Sequence, residues 1–168
     1  MRNDYYNEVG GDDVDKNQSE LAVQAKEYAT DIFKQTDNCC KSMLQTSIQL
    51  LDLPLPKEVV HMGSFYRKGL AETGCICGAL AGGMMILGYI LHDHPKGLEA
   101  AKKFEKKFKE QNGATCCRVI HKGQGIMNRF TGNGCCALTG EAAALLFEII
   151  KEYDPTFGKR GVLSDLSR

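Results

Sequence analysis

Eight cysteines dominate the chemistry that this sequence of 168 residues can perform. They form four close pairs: Cys39-Cys40, Cys75-x-Cys77, Cys116-Cys117 and Cys135-Cys136. Adjacent Cα atoms lie about 3.8 Å apart, whereas the Cα–Cα distance across a disulfide is usually at least about 4.4 Å, so a bond within a doublet would be strained. We therefore expect any disulfide to run between pairs.

The four pairs share one sequence setting, in which turn or capping residues precede the cysteines and helix-forming residues follow them. The preceding residues are Thr36-Asp37-Asn38, Glu72-Thr73-Gly74, Asn112-Gly113-Ala114-Thr115 and Thr131-Gly132-Asn133-Gly134. This setting predicts that all four pairs lie at helix N-termini. There the unpaired first-turn N–H groups and the positive end of the helix dipole favour thiolate over thiol and stabilise an anionic cluster.

Four converging helix ends would form a site with at least four thiolates. Successive helix positions point about 100° apart, so the simplest site takes one sulfur from each pair. An iron–sulfur cluster, [4Fe–4S] or [2Fe–2S], fits this count. If both members of each pair bind, two clusters or one larger cluster could be held, in one chain or across a homodimer. The candidate cofactor-binding residues are Cys39, Cys40, Cys75, Cys77, Cys116, Cys117, Cys135 and Cys136.

Three other interpretations compete with the cluster. A metal-free thiol–disulfide protein would use the same helix ends to lower the pKa values of its thiols. Structural zinc also accepts four cysteines, but its usual Cys-x2-4-Cys spacing differs from a doublet or Cys-x-Cys. Burial as small hydrophobic residues explains one or two cysteines, but not four pairs at four helix starts.

The four histidines are weaker metal-binding candidates. His92-x-His94 could bind a metal, but its position beside Pro95 in a polar loop is typical of a surface segment. His61 and His121 are solitary. No Cys-x-x-Cys-His motif occurs, which excludes covalent attachment of c-type haem.

Other patterns narrow the function further. The loop Gly123-Gln-Gly125 matches neither a Walker loop nor a dinucleotide fingerprint, so we expect no nucleotide cofactor. The 21 Lys and Arg residues balance 21 Asp and Glu residues, which gives no global charge for nucleic acid or an anionic membrane. The longest apolar stretch, residues 79–91, is too short to span a bilayer and predicts a buried helix that includes Met84-Met85.

The N-terminus has no apolar signal-peptide region, so we expect a cytoplasmic protein. In a reducing cytosol, cysteines serve metal or redox chemistry more often than a permanent disulfide framework. The lysine-rich face of residues 96–109 is usually just solvated, although it could dock an acidic redox partner.

No useful β-alternation occurs, and the periodicity predicts an all-α fold, a bundle of about four main helices plus short helices. We expect a flexible acidic leader over 1–18, one helical redox domain over 19–153 and a tail over 154–168. The predicted helices cover 19–33, 39–51, 57–66, 75–91, 96–111, 116–121 and 135–153, with a turn near 126–130.

At this point the sequence resembles a known family. The segment Cys77-Gly78-Ala79-Leu80-Ala81-Gly82 looks like the CGAxxG block of the C-GCAxxG-C-C family of redox-active proteins. Asn38-Cys39, Cys117-Arg118 and Cys135 or Cys136 resemble its other elements, in order, over roughly residues 25 to 153.

The resemblance implies a small helical domain of bacteria and archaea, associated with iron–sulfur binding and found alone or attached to modules such as split-Soret cytochromes. It implies the metal ligands Cys39, Cys77, Cys117 and Cys136, with Cys135 as the alternative. The chain departs from the family by doubling every position, so Cys40, Cys75 and Cys116 would join in a larger or second cluster. We therefore expect an iron–sulfur protein that transfers or stores electrons with a redox partner protein.

Overall fold

The computed structural model describes residues 11–124 and 132–156, and this part of the chain is built from helices with no strand. The all-α prediction is confirmed. The α-helices are α1 (Gly11–Thr36), α2 (Cys39–Leu50), α3 (Gly78–Leu91), α4 (Gly97–Asn112), α5 (Cys117–Gly123) and α6 (Asn133–Tyr153). Two 3₁₀ segments, Lys57–Tyr66 and Leu70–Glu72, connect α2 to α3.

Helix α6 is the centre of the bundle, because it contacts α1, α2, α3 and α4. The sequence spacing predicts an apolar stripe on this helix, formed by Leu138, Ala142, Leu145, Ile149 and Tyr153. The first four are buried, and Tyr153 at the helix end is half-buried. Phe104 and Phe108 of α4 are fully buried and fill the same core. One continuous core therefore fixes the helices whose N-terminal ends carry the cysteines.

Two details differ from the sequence predictions. Helix α1 begins at Gly11 rather than at Ser19, because no glycine or proline interrupts the chain from Asp12 to Thr36. The spacing of Leu98, Ala101, Phe104 and Phe108 predicts one buried face of α4, but Leu98 is 71% exposed and Ala100 is buried instead. The turn predicted at 126–130 lies outside the described residues, as do residues 1–10 of the leader and most of the tail.

Helix α6 is long and apolar enough to cross a bilayer by length and composition. In this structure 56% of its most apolar 18-residue window is buried against other helices. A core helix passes the same length and composition test, so α6 gives little support to a membrane span. The shorter apolar helix α3 is largely buried, as predicted.

Candidate functional site

The first cysteine pair lies in the first turn of α2 and is oriented by Asn38. The Asn38 side-chain oxygen accepts a hydrogen bond from the Lys41 amide at 3.0 Å, which caps the helix. Its side-chain nitrogen donates to the carbonyls of Gly63 and Ser64 at 3.1 and 3.2 Å. The buried Asn38 thus fixes the helix start and also ties it to the first 3₁₀ segment.

Two glycines of the CGAxxG block allow α3 to approach the first turn of α2. A Cβ atom on Gly78 would lie 2.7 Å from the Tyr66 carbonyl oxygen, and one on Gly82 would lie 2.8 Å from the Met43 Cβ. Both distances are shorter than real Cβ atoms tolerate. This close approach places Cys77, the N-cap residue of α3, beside the start of α2.

The second and third pairs are joined by a double connection between residues 74–77 and 115–118. The Cys77 amide donates to the Thr115 carbonyl and the Arg118 amide donates to the Gly74 carbonyl, both at 2.8 Å. A disulfide links Cys75 to Cys116. The prediction that a bridge would run between pairs is confirmed. Cys77 and Cys117, which follow the bridged cysteines, remain free and buried.

The two members of the last pair point to different surroundings. The Cys135 Sγ lies 3.0 Å from the His121 Nε2 and is close enough to the Cys39 thiol to share a hydrogen bond. The Cys136 Sγ instead donates to the Thr30 carbonyl of α1 at 3.6 Å. The geometry therefore favours Cys135 over Cys136, the sequence-based first choice, as the partner of Cys39.

One cysteine from each pair thus contributes to a single group, which we call the thiol cluster: Cys39, Cys77, Cys117 and Cys135. Charge on Cys39 influences Cys77, and charge on both of these influences Cys117, which places the three within electrostatic reach. Of the other four cysteines, Cys40 is buried beside Cys39 and Cys77, Cys75 and Cys116 form the disulfide, and Cys136 faces α1.

Three thiols of this cluster, Cys39, Cys77 and Cys117, have higher pKa values than their helix N-termini predicted. Burial and then the charge of Cys39 raise the pKa of Cys77 to about 12. Burial also raises the pKa of Cys117 to about 12, although the nearby Lys68 opposes the rise. A hydrogen bond with Cys135, followed by burial, raises the pKa of Cys39 well above its ordinary value.

The prediction that the helix ends would favour thiolates is therefore wrong for the protein without a bound cation. The backbone amides of Ala79 and Leu80 do lower the pKa of Cys77, as a helix N-terminus should, but burial has the larger effect. Charge on Cys39 also opposes ionisation of Cys77, and charge on both opposes ionisation of Cys117, so these three thiols stay protonated near neutral pH.

Two polar residues beside the thiols were missed by sequence reasoning. His121, treated as solitary, is four residues after Cys117 on α5 and reaches Cys135. The i,i+4 spacing between Cys117 and His121 could have indicated that both side chains lie on one face of the helix. Thr139, which is four residues after Cys135 on α6, places its hydroxyl against the Cys39 thiol.

Within residues 11–124 and 132–156, no group of three or more His, Cys, Asp or Glu side chains is arranged to hold a metal ion. His92 pairs with Asp93, and the His94 ring accepts a hydrogen bond from the Lys96 amide, so both serve the surface loop. Met84 and Met85 pack against the core, as predicted.

The comparison with family models yields one match. The family described as "Putative redox-active protein (C_GCAxxG_C_C)" matches residues 37–149, which include all eight cysteines and most of the described bundle. No curated protein and no solved structure matches the chain.

Proposed function

The chain belongs to the C_GCAxxG_C_C family of putative redox-active proteins, and from this premise we propose that it is an iron–sulfur protein that transfers or stores electrons. We assign the ligands as the thiol cluster, Cys39, Cys77, Cys117 and Cys135. This set takes one cysteine from each pair and replaces the sequence-based first choice Cys136 by Cys135.

The observation that carries the proposal is a group of four thiols, three of them buried, beside which the described residues place no cation strong enough to ionise Cys39, Cys77 and Cys117. Among the charges that act on Cys39, Cys77 and Cys117, the one cationic side chain is Lys68, next to Cys117. Metal ions supply positive charge and deprotonate thiols outright on coordination. The α3 amides that face Cys77 are placed to donate to a ligated sulfur.

The redox-active family supports a cluster over a single zinc ion, because zinc has no redox chemistry. In a [4Fe–4S] cluster each of four thiolates binds a different iron. Binding a cluster here would therefore separate the Cys39 and Cys135 thiols, which share a hydrogen bond in this structure. When bound, a cluster of this kind would supply one-electron transfer at a potential set by burial and by hydrogen bonds to sulfur.

The residues around the thiols would perform defined tasks in such a site. The backbone hydrogen bonds hold residues 74–77 against 115–118 and set the separation of Cys77 from Cys117. Asn38 fixes the position of Cys39. Burial of Cys39, Cys77 and Cys117 limits the access of water, which would protect a cluster from hydrolysis and lower the local dielectric.

A metal-free thiol–disulfide cycle within the thiol cluster is the weaker candidate. Attack on a disulfide requires a thiolate, and burial keeps the pKa values of Cys77 and Cys117 near 12. We further propose a cytoplasmic location and a protein redox partner, in line with the sequence expectation.

Neighbouring serine substitutions test the ligand assignment. We expect Cys135→Ser to lose most of the iron and acid-labile sulfide of the anaerobically reconstituted protein, because this thiol faces Cys39 and His121. The matched control is Cys136→Ser, which changes the next residue on the same helix but faces Thr30, and it should retain both. Equal iron content in the two variants would contradict the assignment.

A further inference from the structure

The disulfide between Cys75 and Cys116 uses the two extra cysteines that precede the family positions Cys77 and Cys117. The disulfide lies closer to the surface than the two family cysteines that follow it: Cys75 is exposed and Cys116 is half-buried, whereas Cys77 and Cys117 are buried. The chain therefore places an accessible disulfide directly outside the buried thiols of Cys77 and Cys117.

The six remaining cysteines are free, and two of them, Cys39 and Cys135, contact each other. In an oxidising compartment such neighbouring thiols would be expected to form further bridges. A chain with one bridge and six thiols suits a reducing compartment, where disulfides are usually transient and take part in catalysis or redox sensing.

Residues with exposed apolar side chains are joined to the bridged cysteines by backbone hydrogen bonds or lie next to them in the chain. The Leu70 amide donates to the Cys75 carbonyl at 3.1 Å, and the Val119 amide donates to the Cys116 carbonyl at 3.0 Å. Leu70 is 48% exposed, Val119 is 52% exposed and Ile76, next to Cys75, is 36% exposed. Apolar groups around an accessible disulfide are what a protein partner needs for docking in order to reach the sulfur.

We propose that Cys75–Cys116 is a redox-active disulfide that a dithiol protein reduces after docking on Leu70, Ile76 and Val119. This pair works separately from the thiol cluster and does not require iron. Its chemistry is thiol–disulfide exchange, and the co-substrate is the thiol pair of the partner protein.

The exchange has two steps. A partner thiolate attacks the exposed Cys75 sulfur, the Cys75–Cys116 bond breaks, and Cys116 leaves as a thiolate that takes up a proton. The partner's second thiolate then attacks the sulfur of the partner's first cysteine in the mixed disulfide. This releases Cys75 as a thiolate, which also takes up a proton. In total, two electrons and two protons move from the partner dithiol to the pair, and the partner becomes a disulfide.

The test uses the full chain without iron and without reductant, so its outcome is independent of the cluster proposal. Peptide mapping should show Cys75 bridged to Cys116, with six free thiols. Reduced thioredoxin, as the dithiol probe, should raise the count to eight in the native protein and do so faster than dithiothreitol at the same dithiol concentration. A bridge between other cysteines, or reduction by thioredoxin no faster than by dithiothreitol, would overturn the proposal.

Two further measurements test docking and the site of attack. The double variant Leu70→Ser/Val119→Ser should slow reduction by thioredoxin about tenfold without slowing dithiothreitol, while Leu98→Ser, at an exposed leucine on α4, should change neither rate. A thioredoxin that lacks its second cysteine should be trapped on Cys75. Equal thioredoxin rates in all variants, or trapping on Cys116, would refute the proposed geometry.

Discussion

Replacing Gly82 by alanine should disrupt the contact that brings α3 to the cysteines of α2. The new Cβ would lie 2.8 Å from the Met43 Cβ and 3.0 Å from the Cys40 carbonyl oxygen. Neither atom is the end of a flexible side chain, so one helix must shift. Gly88, on the same helix, is the matched control because a Cβ there meets nothing within 4 Å.

The comparison of the two variants isolates the steric cost. Both substitutions gain about 0.4–1 kcal/mol from the restricted unfolded chain, but overpacking at position 82 costs about 1–3 kcal/mol. We therefore expect the free energy of unfolding of Gly82→Ala to be about 1–3 kcal/mol below that of Gly88→Ala. If the free energy of unfolding falls by about 2 kcal/mol per molar urea, the unfolding midpoints of the two variants should differ by about 0.5–1.5 M urea.

Urea titration of both variants, followed by circular dichroism in the presence of a thiol reductant, measures this difference. Iron content after anaerobic reconstitution gives the functional result: Gly82→Ala should bind less iron than Gly88→Ala. If the two variants unfold at the same urea concentration and bind equal iron, the glycine does not provide the approach that we describe.

Three other perturbations test separate parts of the account. Asn38→Ala should lower the free energy of unfolding by about 2–3 kcal/mol, because it removes a helix cap and two hydrogen bonds. The control is Asn112→Ala, which removes one side-chain hydrogen bond. A smaller loss of stability in Asn38→Ala than in Asn112→Ala would contradict this prediction. Arg67→Ala should cost less than about 1 kcal/mol although it breaks ion pairs to Asp37 and Glu72, since these lie at the surface; a larger loss that persists at high salt would refute the estimate. In the reduced, iron-free protein, burial raises the pKa of Cys40 and Cys77 from 9.0 to about 12, so the unfolded chain loses these protons first. The stabilisation from these two protonated thiols should be complete below about pH 9 and decline above it by up to about 1.4 kcal/mol per pH unit for each thiol. Urea titrations at several pH values should show that the free energy of unfolding falls less steeply with pH in Cys40→Ala than in the wild type. The same pH dependence in both proteins would refute the assignment.

The positions of the cysteine pairs could be predicted from sequence because local signals determine them. The structure places Cys39, Cys77, Cys117 and Cys135 at or within three residues of a helix start, as the preceding turn and capping residues predicted. The prediction is wrong for Cys75, which lies in a non-helical segment before α3, and Asn133-Gly134 belong to the first turn of α6 rather than preceding it. The amphipathic pattern of α6 likewise identified its buried face. These features depend on neighbours within a few residues.

The features that could not be predicted depend on how distant segments meet. The choice between Cys135 and Cys136 is set by the rotation of α6 against α1, which turns Cys136 toward Thr30. The pairing of Cys75 with Cys116 follows from the approach of two loops 41 residues apart. The high pKa values arise because burial and neighbouring thiols outweigh the helix dipole, and both effects need the packed structure.

The iron and acid-labile sulfide content of the anaerobically purified or reconstituted wild-type protein, measured together with its visible and EPR spectra, tests the central claim most directly. The account predicts iron and sulfide bound to the chain in comparable amounts and an EPR signal that changes on one-electron reduction. A colourless protein that binds neither iron nor sulfide after reconstitution, with the thiols of Cys39, Cys77, Cys117 and Cys135 intact, would contradict it.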